Sequence, residues 1–170
     1  MRHLLQLDDE IDDQALDQFI ERIAANIRSN IDCMACGNCC RRLVVYLTPD
    51  DIQRIARHIS PLNSKTFITL IESEGRSSSE EWAKLNHRPC SFLKGKVCTI
   101  YSTRPETCRT YPAFTPDFRW VLEYLIDGSH LCPIIFNVLS EISSLVDEIS
   151  SGRLQLSASN EVDGTINQRN

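Results

Sequence analysis

The stretch Cys33-Met34-Ala35-Cys36-Gly37-Asn38-Cys39-Cys40-Arg41-Arg42 places four thiols within eight residues and shows neither helical nor strand periodicity. From Ile31 to Arg42 it reads as a loop, with Gly37 and Asn38 as its turn residues. A C-x-x-C pair lets both sulfurs reach one ion, because the intervening backbone curls and aims its amide N–H groups at them. Adjacent Cys39 and Cys40 diverge in an extended or turn conformation, so one of them is expected to serve a different ligand set from Cys33 and Cys36. Four more thiols, Cys90, Cys98, Cys108 and Cys132, follow with 7, 9 and 23 intervening residues. Eight thiolates allow two four-thiolate sites, or one site plus a remainder. An iron–sulfur cluster and Zn2+ would accept the same sulfurs, and the spacing does not separate them.

The rest of the composition is ordinary. The 170 residues are 42% hydrophobic and 24% charged, with a formal net charge of -5. That balance suits a globular core and lacks the basic surplus that a phosphate backbone or an anionic membrane calls for, so neither nucleic acid nor a membrane is expected as partner. The longest uncharged apolar run, Leu131 to Ser140, stops at Glu141, far short of the ~20 residues of a spanning helix. Asp8, Asp9 and Glu10 interrupt the N-terminal leucines before the apolar region of a secretory signal forms, which points to a cytoplasmic protein. Thiols there are kept reduced, so the cysteines read as metal ligands or redox groups, with a disulfide-stabilised protein as an alternative.

The pattern predicts an α+β, mainly helical fold: a single compact domain over 1–150 with a cysteine core at 33–132, and a polar tail over 151–170. Leu16, Phe19, Ile20, Ile23, Ala24 and Ile27 mark a helix from Asp8 to Ser29. Leu43 to Leu47 reads as a strand. Thr48-Pro49-Asp50-Asp51 then opens a helix to about His58 through a capping box, burying Ile52, Ile55, Ala56 and Ile59. A second helix carrying Phe67, Ile68 and Ile71 and a Ser-rich loop over Glu72 to Glu81 come next. Phe118 to Ile126 is expected to be a strand, and Pro133 to Ile149 a helix.

Around the dispersed cysteines, Lys94-Gly95-Lys96 looks like a hairpin tip that returns Cys98 towards Cys90, and Thr103 to Glu106 starts a helical turn presenting Cys108. Arg41, Arg42, Arg88, Arg104 and Arg109 crowd the thiols. Guanidinium groups there offset the charge of thiolates and lower their pKa, with ordinary surface ion pairing as the alternative. His87 and His130, each near a cysteine, are weaker ligand candidates; His3 and His58 read as surface residues. Tyr101, Arg104, Arg109 and Tyr111 form a weak candidate substrate surface.

Taken in order, Cys33-x-x-Cys36-Gly37-x-Cys39-Cys40-Arg41, Leu47-Thr48-x-x-Asp51-Ile52, Pro89-Cys90-x-Phe92-Leu93, Cys98-x-Ile100-Tyr101-x-x-Arg104-Pro105-x-x-Cys108-Arg109-x-Tyr111-Pro112 and Cys132 resemble the YkgJ-like cysteine-cluster family of zinc- or iron-chelating domains. The resemblance implies a metal-binding protein whose ligands are Cys33, Cys36, Cys39, Cys40, Cys90, Cys98, Cys108 and Cys132. It implies a role in redox or metal handling, or as a module for a protein partner. The family is similar to bacterial flagellin lysine N-methylases, which makes an enzyme using the cluster in its chemistry an alternative. No Gly-rich strand-to-helix loop for S-adenosylmethionine is present, which argues against methyl transfer.

Overall fold

Asp12 decides where the first helix begins. Its carboxylate accepts from the Ala15 amide at 2.8 Å, so α1 runs Asp13–Asn30 rather than starting at Asp8. The computed structural model describes residues 11–57, 68–70, 83–151 and 153. His3, His58, Ile59, the Ser-rich loop over 72–81 and most of the expected tail lie outside them. The chain divides into two compact units, Met1–Asn30 with Phe114–Asn170, and Ile31–Ala113.

In the first unit α1 packs against α6, Phe118–Gly128, and α7, Pro133–Ser150, and α6 packs against α7. The α6 segment was expected to be a strand, and its aromatic and β-branched composition favours one. Packing overrides that preference, because Phe118, Leu122 and Leu125 recur at i, i+4 and i+7 and all three are buried. Asp17 of α1 supports the choice by accepting from the Asp117 and Phe118 amides at 2.7 and 2.9 Å. Those amides belong to the set a helix leaves without internal partners. The α7 helix follows its predicted face: Ile134, Ile135, Val138, Leu139, Ile142 and Val146 are buried with Leu16, Phe19, Ile20 and Ala24 of α1 in the same unit.

The second unit holds the remaining elements. In order they are α2 (Cys33–Cys36), α3 (Asn38–Arg42), β1 (Tyr46–Leu47), α4 (Pro49–Ala56), β2 (Ile68–Leu70), β3 (Ala83–Leu85), β4 (Leu93–Lys94), β5 (Val97–Cys98), a 3-10 turn (Tyr101–Thr103) and α5 (Glu106–Thr110). Antiparallel pairing gives one sheet in the order β1-β3-β2 and one hairpin, β4-β5. Ile68 sits opposite Leu85 in a strand, not in the helix expected after Pro61. The capping box at Thr48 and Asp51 forms as predicted, with Ile55 buried but Ala56 exposed. The result is a mainly helical α+β fold. Among the described residues, no helix is long and apolar enough to cross a membrane.

Replacing Asp17 by Ala strands two amides at the start of α6. The expected cost is about 1–2 kcal/mol in urea unfolding, with native helical circular dichroism retained below the transition; an unchanged midpoint would remove Asp17 from this role.

Candidate metal centre

The cysteine segment is not an irregular loop. Asp32 caps α2 by accepting from the Met34 amide at 2.8 Å. Gly37, at φ +67°, ends α2 and begins α3 in the left-handed region that a side chain disfavours. Two short helical turns therefore carry the thiols, Cys33 and Cys36 on the first and Cys39 and Cys40 on the second. Gly37 is required for a second reason. A Cβ there would stand 3.0 Å from the Lys96 carbonyl and 3.3 Å from a Leu93 methyl, so the β4-β5 hairpin lies directly on the glycine.

Backbone and side-chain tethers hold the pieces together. The hairpin turns as predicted, through Gly95 at φ +64°. Arg41 donates to the Cys36 carbonyl at 3.0 Å and to the Gly95 carbonyl at 2.7 Å, joining α2 to the hairpin tip. The Cys90 amide donates to the Cys40 carbonyl at 2.8 Å. Cys108 arrives on α5, which Asp51 positions: its buried carboxylate accepts from the Glu106 amide at 3.0 Å while also capping α4 and pairing with Arg54. Cys90, Cys98 and Cys108 rest against an apolar cluster that includes Val45, Leu47, Ile55, Phe92 and Ile100.

Five thiols of this unit act on one another. Cys39 hydrogen-bonds Cys40, and this, with burial and the nearby charges of Cys40 and Cys108, pushes the Cys39 thiol well up. The same bond, helped by Arg41 and opposed by burial, brings Cys40 down to about 6. The shared bond thus favours the thiol form of Cys39 and the thiolate form of Cys40. In a helical turn the neighbours meet, contrary to the divergence expected of an extended or turn pair. Burial is the main cause raising Cys90 and Cys98, and it raises Cys108 to about 12; the charge of Cys40 adds to all three. Opposing this, the Phe92 and Leu93 amides face the Cys90 sulfur, the Ile100 amide faces Cys98, and Arg104 lowers both Cys98 and Cys108.

The remaining candidates are placed differently. Cys36 is half-buried and Cys33 exposed, both on α2, which packs beside β5. Cys132 is buried and belongs to the helical unit. His87 and His130 are exposed, in different units. Of the five arginines, Arg41 and Arg104 act electrostatically on the thiols as expected. Arg104 also stacks on Tyr101 at 3.9 Å and donates to its carbonyl, and Arg109 donates to the Ser102 and Arg104 carbonyls, both at 2.9 Å. The group proposed as a substrate surface thus braces the turn that leads into Cys108.

The donor set fits a borderline-soft cation. Clustered thiols that burial and mutual repulsion keep protonated become favourable as thiolates once a cation stands among them, and the amides aimed at Cys90 and Cys98 already favour that form. Among the described residues, no three His, Cys, Asp or Glu side chains are already arranged to hold a metal ion. Residues 32–132, more than half of the chain, match the family model CxxCxxCC, described as "Putative zinc- or iron-chelating domain". No curated protein and no solved structure matches.

Gly37→Ala is expected to cost about 2 kcal/mol, from the left-handed backbone and the contact with Lys96. Gly95→Ala, where the added methyl meets nothing within 4 Å, should cost less. Equal losses in thermal or urea unfolding would show that the close approach at Gly37 contributes nothing.

Proposed function

The chain belongs to the CxxCxxCC family of zinc- or iron-chelating domains, and from that membership we propose that it carries a thiolate-held metal centre, zinc or iron–sulfur, used in metal handling or redox work in the cytoplasm. The observation that carries the reading is the set of five interacting thiols around Cys40. Cys39, Cys40, Cys90, Cys98 and Cys108 are the central ligand candidates. Cys33, Cys36 and Cys132 complete the proposed set on the strength of the motif.

Five thiols that act electrostatically on one another exceed the four that one tetrahedral ion takes. The surplus favours a centre of more than one metal atom, or one in which an ion passes between donors. A bound metal would supply charge to hold the thiolates, and iron would add one-electron chemistry. The protein's own part is to aim amides at Cys90 and Cys98, to place Arg41 and Arg104 against the accumulated charge, and to keep the sulfurs against an apolar wall that limits water.

Anaerobic purification with elemental analysis tests this directly. Stoichiometric zinc in a colourless protein, or iron and sulfide with broad absorption at roughly 400 nm, is expected. Protein free of both metals after purification and reconstitution would overturn the proposal. Cys40→Ser should weaken binding by more than about 100-fold, beyond the usual effect of losing a supporting residue, and metal titration followed by chelator competition reads this.

Proton release gives a sharper check. Cys90, Cys98 and Cys108 have raised pKa values, so they are protonated near neutrality and must lose protons to bind; Cys40, lowered to about 6, has already lost its own. Affinity should therefore rise with pH, and a site using Cys40 with these three should release about three protons at pH 7.5 rather than four, measured by calorimetry in buffers of different ionisation enthalpy. The metal-free protein should move the other way. Its raised thiols stabilise the fold fully below the pKa of an unfolded cysteine, about 8.5, and that stability drains away as pH climbs above it. A metal-free protein as stable at pH 10 as at pH 8 would contradict the clustering.

A further inference from the structure

The whole-chain charge of -5 conceals two opposite halves. Residues 31–113 carry 12 Lys and Arg against 8 Asp and Glu, whereas the helical unit carries 6 Arg, no Lys and 15 Asp and Glu. On that acidic unit, α6 turns an aromatic face outwards. Trp120 is 88% exposed and Tyr124 59% exposed, one helical turn apart, and exposed Glu123 and Asp127 continue the same face at i+3 and i+7 from Trp120. Large aromatics that form no part of a core are the side chains that most often anchor a protein interface.

The acidic residues are not placed for the benefit of the helix. Asp127 lies in the last turn of α6, where the macrodipole is negative and disfavours an anion. A cation seated there would relieve that cost and meet the indole and phenol faces as well. Arg119, the cation of α6 itself, donates to Asp13 at 2.7 Å and to the Ile11 carbonyl at 3.1 Å.

We propose that the face formed by Trp120, Glu123, Tyr124 and Asp127 docks a Lys- and Arg-bearing segment of a partner protein. The rings provide apolar area and cation–π contacts, the carboxylates provide charge pairing, and the excess negative charge of the unit raises the encounter rate. The surface is independent of the thiols and stands or falls apart from the metal reading.

The test uses the full chain and a fluorescent twelve-residue peptide of alternating Lys and Arg, compared with the same peptide bearing acetyl-lysine and citrulline. Anisotropy at low salt should show saturable binding of the cationic peptide, at least about tenfold weaker for the neutral one. Trp120→Ala/Tyr124→Ala and Glu123→Gln/Asp127→Asn should each weaken it by about tenfold or more, with circular dichroism unchanged because all four side chains are on the surface. Unchanged affinity in the aromatic double variant would reduce the effect to net charge and overturn the proposal, as would absence of binding. Sedimentation that shows Trp120-dependent self-association without peptide binding would assign the face to a second copy and equally overturn it.

Discussion

Crowding like-charged sulfurs away from water is the constraint on which the cysteine unit turns. One isolated thiolate is costly to bury, and several beside one another repel as well. The chain meets this in part through Cys39 and Cys40, whose hydrogen bond favours one negative charge on the pair over two. Arg41 faces that charge, and Arg104 faces Cys98 and Cys108. Cys90, Cys98 and Cys108, whose pKa values burial raises, favour the thiol form. Such a cluster is tolerable without a cation and improved by one, which is the thermodynamic form of a binding site whose metal and fold are coupled.

That coupling explains where the architecture spends its polar groups. Arg41 and Gly37 join the cysteine segment to the hairpin, and Asp51 joins α4 to α5. Each fixes the backbone near a sulfur and none occupies a sulfur. Asp51 shows the economy of the arrangement, since one buried carboxylate caps its own helix, pairs with Arg54 and receives the first amide of the helix bearing Cys108. Neutralising it would loosen two helices together.

Local signals made some of this legible from sequence, and non-local ones hid the rest. The capping box at Thr48 and Asp51, the Lys94-Gly95-Lys96 turn and the long C-terminal helix are each written within a few residues, and each formed. Asp32 and Gly37 were equally local, a cap and a left-handed stop that define α2, but the density of cysteines between them obscured the helical turns. The α6 segment failed for a different reason. Its strand propensity is genuine, and only the cap from Asp17, about a hundred residues away, and the burial available in the helical unit reverse it. The meeting of Cys39 with Cys40 and the reach of Asp51 to Glu106 depend on tertiary placement that spacing does not encode.

Net charge is a coarse guide for a related reason, because a sum discards position. A value of -5 argues against an anionic partner only when charge is spread evenly, and here the acidic excess belongs to the helical unit while the cysteine unit is formally basic. The basic excess has a use within its own unit: thiolates that gain a metal still carry net negative charge, and Arg41 and Arg104 stand against it. The acidic excess has no counterpart among the thiols. Asp127, in the last turn of α6, works against the helix that bears it, beside rings the core does not use. Side chains that local stability does not explain, gathered on one exposed face, are accounted for by a cation from outside the unit.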